Sequence, residues 1–338
     1  MLLGKINIMI LEDLRKLDIL SRGNRYRHKF KYHIFNIIMR ILYIPYNIII
    51  GSIIYIWIKY IRKKKKSGKK IGLAIVAIAK NESEYIQEWI EYHRIIGVQK
   101  IFLYDNDSTD DTYSIIEPYI KSGFITYNKI HGTNKQFTAY NKALWDYGCL
   151  CKYMAYIDCD EFICPIEYKA NIINILDKIF EKKSNAGGVL INWCMFGSSN
   201  FTTKPQGLLI ENFIYRANIG KPGTNVTKSI IKPERVLMWD HPHFPVYDFP
   251  FIGIDIKGNI NNSFWNDINN YELLKINHYF TKSKEQWIKR RSIGKADLGP
   301  NDKRSIEEFY KHDNNDIIDF DAARYKDEII LQLQKANK

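Results

Sequence analysis

Asp158 and Asp160 stand two residues apart in YIDCDEF, directly after the mostly apolar run 153–157 (YMAYI). In an extended segment, residues two apart point to the same side, so the two carboxylates are predicted to share one patch at a strand end. Like charges gathered beside an apolar strand are costly unless a cation offsets them. Carboxylate oxygens suit Mg²⁺ or Mn²⁺, and few protein ligands leave room for phosphate oxygens. The implied chemistry is a divalent ion that holds a diphosphate and acts as a Lewis acid on a leaving phosphate. A bare D-x-D also serves as a solvated acidic turn. Its place after an apolar strand in an α/β pattern is what weighs towards chemistry. A second acidic run, DNDSTDD at 105–111, is made of ordinary turn formers and helix caps. It lacks the Gly and the terminal Glu of a calcium loop.

The elements that must position these groups follow from periodicity. Residues 71–79 (IGLAIVAIA) are an unbroken apolar run, as in a strand buried on both faces. Asn81 and Glu82 come at its tip. Tyr85, Ile86, Trp89, Ile90 and Ile95 then recur at helical spacing, and Gly97 stops the helix. A second strand, 99–104, ends in DNDSTDD and leads into a helix through Tyr119. Further elements are predicted as a strand near 124–130, a helix over 135–148, a strand at 153–157, a helix over 171–181 and a strand at 187–196. Strands near 229–239 and 273–280 follow, and 283–335 reads as mostly helical and charged. This pattern predicts an α/β fold with a mixed, mostly parallel sheet flanked by helices. Ligands of such sheets sit at the carboxyl tips of the strands. Cys159, between the two aspartates, is expected to face away from them. Trp89, Tyr92 and His93 are expected to pack their helix on the sheet.

The chain has 338 residues and a formal net charge of +13, unevenly spread. Residues 1–70 hold 17 Lys+Arg against 3 Asp+Glu, which leaves 33 against 34 in residues 71–338. No basic face is left for the body, so a nucleic-acid-binding domain is excluded. Residues 41–58 carry no charge but are interrupted by Pro45, Asn47, Gly51 and Ser52, with Lys and Arg on both flanks. That suits a helix lying in an anionic membrane interface or, alternatively, a single span or a helix packed on the body or on a second subunit. The predicted organisation is a membrane-associating helical leader at 1–61, a basic linker at 62–70 and the α/β domain at 71–338. The five cysteines have no paired C-x-x-C units, which points to reduced thiols rather than zinc or a disulfide scaffold.

Six short motifs occur in order: AKNESEYIQEWIEYHRIIGV, FLYDNDSTDD, QFTAYNKAL, YIDCDEFICP, INWCMFGSSN and HYFTKS. Over about residues 72–312 the chain resembles the glycosyltransferase family 92 type domain and its bacterial relatives, a GT-A branch close to family 2. The resemblance implies a GT-A (Rossmann-like) fold and metal-dependent sugar transfer. It places Asn81 and Glu82 at the nucleoside, and Asp105 and Asn106 at the base and ribose. Asp158 and Asp160 become the D-x-D metal site, with Asp158 also facing the donor. His278 completes the metal site, and Lys282 with Ser283 holds the diphosphate. It also implies inversion, which needs a base on the acceptor side. The sequence leaves that base between Glu211 and the cluster Asp240, His241 and His243 in WDHPHF. Trp193 and Phe196 are candidates to stack on a sugar ring.

The expected function is transfer from a nucleotide-diphosphate sugar, held by Mn²⁺ or Mg²⁺, to a hydroxyl of a glycan or lipid-linked glycan. The expected place is the cytoplasmic face of an anionic membrane, with no nucleic-acid partner. One alternative is nucleotidyl or phosphoryl transfer on the same metal–diphosphate chemistry. It would need a Gly-rich phosphate loop, and residues 79–84 (AKNESE) contain no Gly. The other alternative is a non-catalytic membrane-attached scaffold.

Overall fold

The computed structural model describes residues 71–267, 271–291 and 305–336, together with Ser52, Ile56, Gly68 and Lys70. The chain divides into two compact units, Met1–Lys66 and Ser67–Lys338, and the second carries the elements below. All of the leader but Ser52 and Ile56, and most of the basic linker, lie outside the described residues.

The first strand, β1 (Ile71–Ala79), is central, and both of its faces are covered. Leu73, Ile75 and Ala77 face a core built with Ile86, Trp89 and Ile90 of helix α1 (Ile86–Ile95). Ala74 and Val76 face a second core with Tyr140, Ala143 and Leu144 of α3 (Gln136–Tyr147). Each fully buried large aliphatic or aromatic side chain contributes about 1.5–3 kcal/mol, which is why the unbroken apolar run settles in mid-sheet. Helix α1 stops where the sequence predicts. Gly97 takes φ 105°, and the Val98 and Gly97 amides donate back to the carbonyls of His93 and Arg94. Trp89, Tyr92 and His93 are fully buried. The His93 ring is satisfied on both nitrogens, by the Trp89 carbonyl and the Ile163 amide.

β2 (Lys100–Asp105), α2 (Thr112–Lys121), β3 (Ile125–Lys129), β4 (Cys151–Tyr156), β5 (Glu161–Pro165), α4 (Ile172–Glu181) and β6 (Ala186–Met195) complete the first half. Then come α5 (Leu209–Asn212), β7 (Tyr215–Arg216), β8 (Thr227–Ile231), β9 (Val236–Trp239), β10 (Pro245–Tyr247), β11 (Ile252–Asp255), β12 (Leu274–His278), α6 (Lys284–Arg291), α7 (Ile306–His312), β13 (Ile317–Ile318) and α8 (Lys326–Ala336). The main sheet runs β3-β2-β1-β4-β8-β6-β12-β5, and β11 also pairs with β6. Strands β1 to β4 are parallel, β8 runs antiparallel between β4 and β6, and β5 is antiparallel to β12. This is the mixed, mostly parallel sheet with helices on both faces that the sequence predicts.

Three local expectations are corrected. Strand β4 ends at Tyr156, so Asp158–Asp160 is a turn closed by the Glu161 amide on the Asp158 carbonyl at 3.1 Å, not an extended strand end. Cys159 therefore does not simply alternate away from the aspartates; its thiol faces the Ile78 carbonyl at 3.8 Å. The strand expected near 229–239 is two strands, β8 and β9, broken by a turn at Pro233–Arg235, where Pro cannot extend a ladder.

Candidate active site

The carboxyl tips of β1, β2, β3 and β4 open on a cleft of about 830 Å³. Two acidic-polar loops shape one end of it. Asn81 takes a left-handed φ of 56°, which Asn tolerates better than most residues. The Ser108 hydroxyl accepts its amide at 3.0 Å, and its own side chain accepts the Thr109 amide at 2.7 Å. The Glu82 and Ser83 amides donate to Thr112 and Asp110. DNDSTDD is thus the clamp that fixes the AKNESE loop. Asp105 lies beneath the wall, where it accepts from the Ser108 amide and the Tyr127 hydroxyl. Asn106 is on the wall, its side chain donating to the carbonyls of Ile130 and Gly132.

The acidic turn after β4 forms the middle of the cleft. Asp158 meets Lys228 of β8 at 2.9 Å and the Gln136 side chain of α3 at 3.2 Å. Lys228 is 1% exposed and also lies 3.5 Å from Glu161, which is fully buried and accepts the Asp158 amide at 3.0 Å. Burial opposes the Lys228 charge, yet Asp158 and Glu161 hold its pKa above the ordinary lysine range. Burial keeps the Glu161 carboxyl well above its usual range despite that lysine. Asp160 takes Arg290 of α6 at 2.8 Å on one oxygen and faces His278 Nε2 at 3.6 Å on the other. Burial works against its charge, but Arg290 and His278 hold its pKa well below the usual carboxylate range. Arg290 also reaches Glu82 at 3.4 Å. Burial and then Arg290 lower the pKa of Lys282, whose ammonium sits 5.0 Å over the Tyr85 ring.

The structure therefore brings Asn81, Glu82, Asn106, Asp158, Asp160, His278 and Lys282 to one cleft and leaves Asp105 under it. It does not bring Glu211, Asp240 or His241 to the wall. Glu211, on α5, pairs with Lys326 of α8 at 2.5 Å. Asp240 is exposed. The His241 ring stacks on Phe264 at 4.3 Å. Pro242 and His243 do line the cleft, beside Trp193 and Phe280. Phe196 is buried against Tyr279, so of the two predicted stacking aromatics only Trp193 is on the wall. Lys228, Gln136 and Arg290 are partners of Asp158 and Asp160 that sequence reasoning missed. The only signal for Lys228 was a cation inside an apolar strand; Arg290 lay in a stretch that reads as a solvated charged helix.

Among the described residues no three His, Cys, Asp or Glu side chains gather to hold a metal on protein ligands alone. Asp160 and His278 nevertheless fit a hard divalent ion. Their facing oxygen and nitrogen are too far apart for a hydrogen bond and close enough to share a cation. Mg²⁺ commonly takes one or two protein ligands and completes its shell with phosphate oxygens and water.

The family model for glycosyltransferase family 92 matches residues 73–313. A glycosyltransferase family 92 protein of Ricinus communis is 29% identical over 217 residues, covering 61% of this chain and 35% of that protein. A galactan beta-1,4-galactosyltransferase of Arabidopsis thaliana is 30% identical over 106 residues, covering 28% of this chain and 20% of that one. Crystalline S. aureus TarS 1-349 in complex with UDP aligns over 48% of this chain and 46% of that chain, at 15% identity and a TM-score of 0.32. The chain spans about a third of the length of the first curated relatives it matches. With a match that runs from β1 to just past α7, the chain belongs to glycosyltransferase family 92.

Proposed function

We propose that this chain transfers a sugar from a nucleoside-diphosphate donor to a hydroxyl of a glycan, with inversion at the anomeric carbon. The observation that carries the reading is one cleft at the strand tips in which Asp160 and His278 face each other beside Arg290 and Lys282. Two possible metal ligands, one carboxylate and one imidazole, thus sit next to two cations, as a metal-bound diphosphate requires. Asp160 and His278 would hold Mn²⁺ or Mg²⁺, which when bound neutralises the leaving diphosphate as a Lewis acid. Lys282 and Arg290 bind the diphosphate oxygens. Asn81, Glu82 and Asn106 receive the nucleoside on the clamped loop. Asp158, fixed by Lys228 and Gln136, orients the donor rather than ligating the ion. Membership of the family supports the sugar as the group moved. The similarity to the Arabidopsis galactan beta-1,4-galactosyltransferase supports a glycan acceptor.

The apolar stretch 41–58 and the basic run RKKKKSGKK at 62–70 support a tether to an anionic membrane at its cytoplasmic face, with a lipid-linked glycan as one acceptor. Thermal shift with Mn²⁺ and UDP, GDP or CMP tests the catalytic reading. One nucleotide is expected to stabilise the protein only with metal, and Asp160→Asn to abolish that gain. No shift with any pair would end the proposal.

A further inference from the structure

We propose that His243 is the general base that takes the proton from the acceptor hydroxyl. This rests on the transferase reading and names a group it leaves open. The argument begins with the ring's tautomer. His243 Nδ1 lies 2.9 Å from the Thr227 carbonyl, which can only accept, so Nδ1 carries the hydrogen. In the neutral ring the lone pair is then on Nε2, and no hydrogen bond from another described side chain or amide reaches that atom. The ring is half-buried and forms part of the cleft wall. Burial, and next the Lys228 ammonium, lower its pKa below the ordinary histidine value, so the ring is neutral and that lone pair unprotonated, at the cost of some basicity.

His241, its neighbour in WDHPHF, has the opposite arrangement. The His243 amide donates to His241 Nδ1 at 3.2 Å, and its ring is stacked on Phe264. One histidine of the pair shapes the turn; the other is presented to the cleft.

Position agrees with chemistry. Trp193 touches both His243, at 5.0 Å between ring centres, and His278, at 4.3 Å. His243 is thus one indole away from the metal-facing histidine. Four of the carboxylates that line the cleft are already engaged by cations or an amide: Asp158 by Lys228, Asp160 and Glu82 by Arg290, and Glu84 by Lys204 and Gln286. In the transfer step the acceptor oxygen bonds to the anomeric carbon while its hydrogen passes to His243 Nε2. The bond from that carbon to the β-phosphate oxygen breaks, and its electron pair leaves with the nucleoside diphosphate.

The full-length protein with Mn²⁺ is assayed for release of UDP from UDP-galactose, UDP-glucose and UDP-N-acetylglucosamine, with water as acceptor. His243→Asn and His243→Ala are expected to lose about 100-fold in turnover. Their stabilisation by Mn²⁺ with UDP should stay near wild type, and added imidazole should restore part of the activity of the alanine variant. His241→Asn is expected to keep most of its turnover. If the His243 variants turn over at near wild-type rates, His243 is not the base although the transferase reading stands. Loss of UDP stabilisation in His243→Asn in step with turnover would mark a structural role and overturn the proposal. Absence of any nucleotide-dependent shift in the wild type removes the transferase reading itself. Histidine-selective ¹⁵N NMR, assigned with His243→Asn, decides independently of turnover. The Nδ1–H neutral form is expected at pH 7.5; an Nε2–H or doubly protonated ring refutes the base role.

Discussion

Lys228 carries the charge balance under the acidic turn. It is almost fully buried between Asp158 and Glu161, so removing it strands buried carboxylate. Lys228→Met is expected to destabilise the protein by about 3–5 kcal/mol, the usual cost of breaking a buried pair from one side. Adding Asp158→Asn and Glu161→Gln should recover much of that loss, measured as urea midpoints. Glu88 gives a pH prediction of the same kind. It is buried, with its carboxylate accepting the Leu209 and Ile210 amides at 2.7 and 3.0 Å. Burial outweighs those bonds and raises its pKa to about 7. The folded state then binds this proton more tightly than the unfolded chain does. The stability it gives is complete below about pH 4.5 and is lost as pH rises towards 7, by about 3 kcal/mol in all. Glu88→Gln should flatten the fall in urea midpoint between pH 5 and pH 7.5, and an unchanged slope would refute this origin. At this scale the sequence made Asp158, Asp160 and His278 legible because short motifs keep them near strand ends. It could not show Lys228 or Arg290, whose roles exist only once β8 and α6 are folded against the turn. Nor could it separate His241 from His243, since their difference is a hydrogen-bond direction.

Elements were legible wherever one periodicity ran without interruption. β1 and α1 follow directly from nine apolar residues and a Gly stop. Helix α4 does so from Ile172, Leu176, Ile179 and Phe180 on one face, opened by Asn171, whose side chain accepts the Ile173 and Asn174 amides. Asn171→Ala is expected to cost about 1 kcal/mol, read from the thermal midpoint, as for other lost helix caps. Short elements were not legible, because two- to four-residue strands such as β7, β11 and β13 are fixed by partners distant in the chain. Gly197 shows how such partners reach the site. It follows β6 where the Phe196 amide bonds the His278 carbonyl at 3.0 Å. A Cβ on Gly197 would meet the Asn314 carbonyl at 2.6 Å and collide with the Asn315 side chain. Backbone cannot yield as a side-chain tip can, so Gly197→Ala is expected to cost about 1–3 kcal/mol. It should also weaken Mn²⁺–UDP stabilisation through His278, whereas Gly68→Ala, at an exposed position with open space around it, should leave nucleotide binding unchanged.

At the scale of the molecule, charge is divided rather than shared. Residues 1–70 hold 17 basic against 3 acidic side chains, while the remainder is nearly balanced at 33 against 34. A balanced body gives no long-range attraction to an anionic surface, so any membrane affinity of electrostatic origin must reside in the leader and linker. Each basic residue near such a surface is worth about 1 kcal/mol, and the attraction fades within a Debye length. Replacing Lys63, Lys64, Lys65 and Lys66 with Gln in the full chain removes four charges and changes no residue of the sheet or the cleft. In flotation with phosphatidylserine-containing vesicles the wild type is expected to rise with the lipid at 50 mM salt. The variant should rise far less, and neutral phosphatidylcholine vesicles should show a smaller difference between the two. Stabilisation by Mn²⁺ and UDP should be the same in both, because the proposed tether and the cleft use different residues. If the variant floats as fully as the wild type at every salt concentration, the apolar stretch 41–58 holds the protein to lipid on its own, and the basic run is a solvated linker.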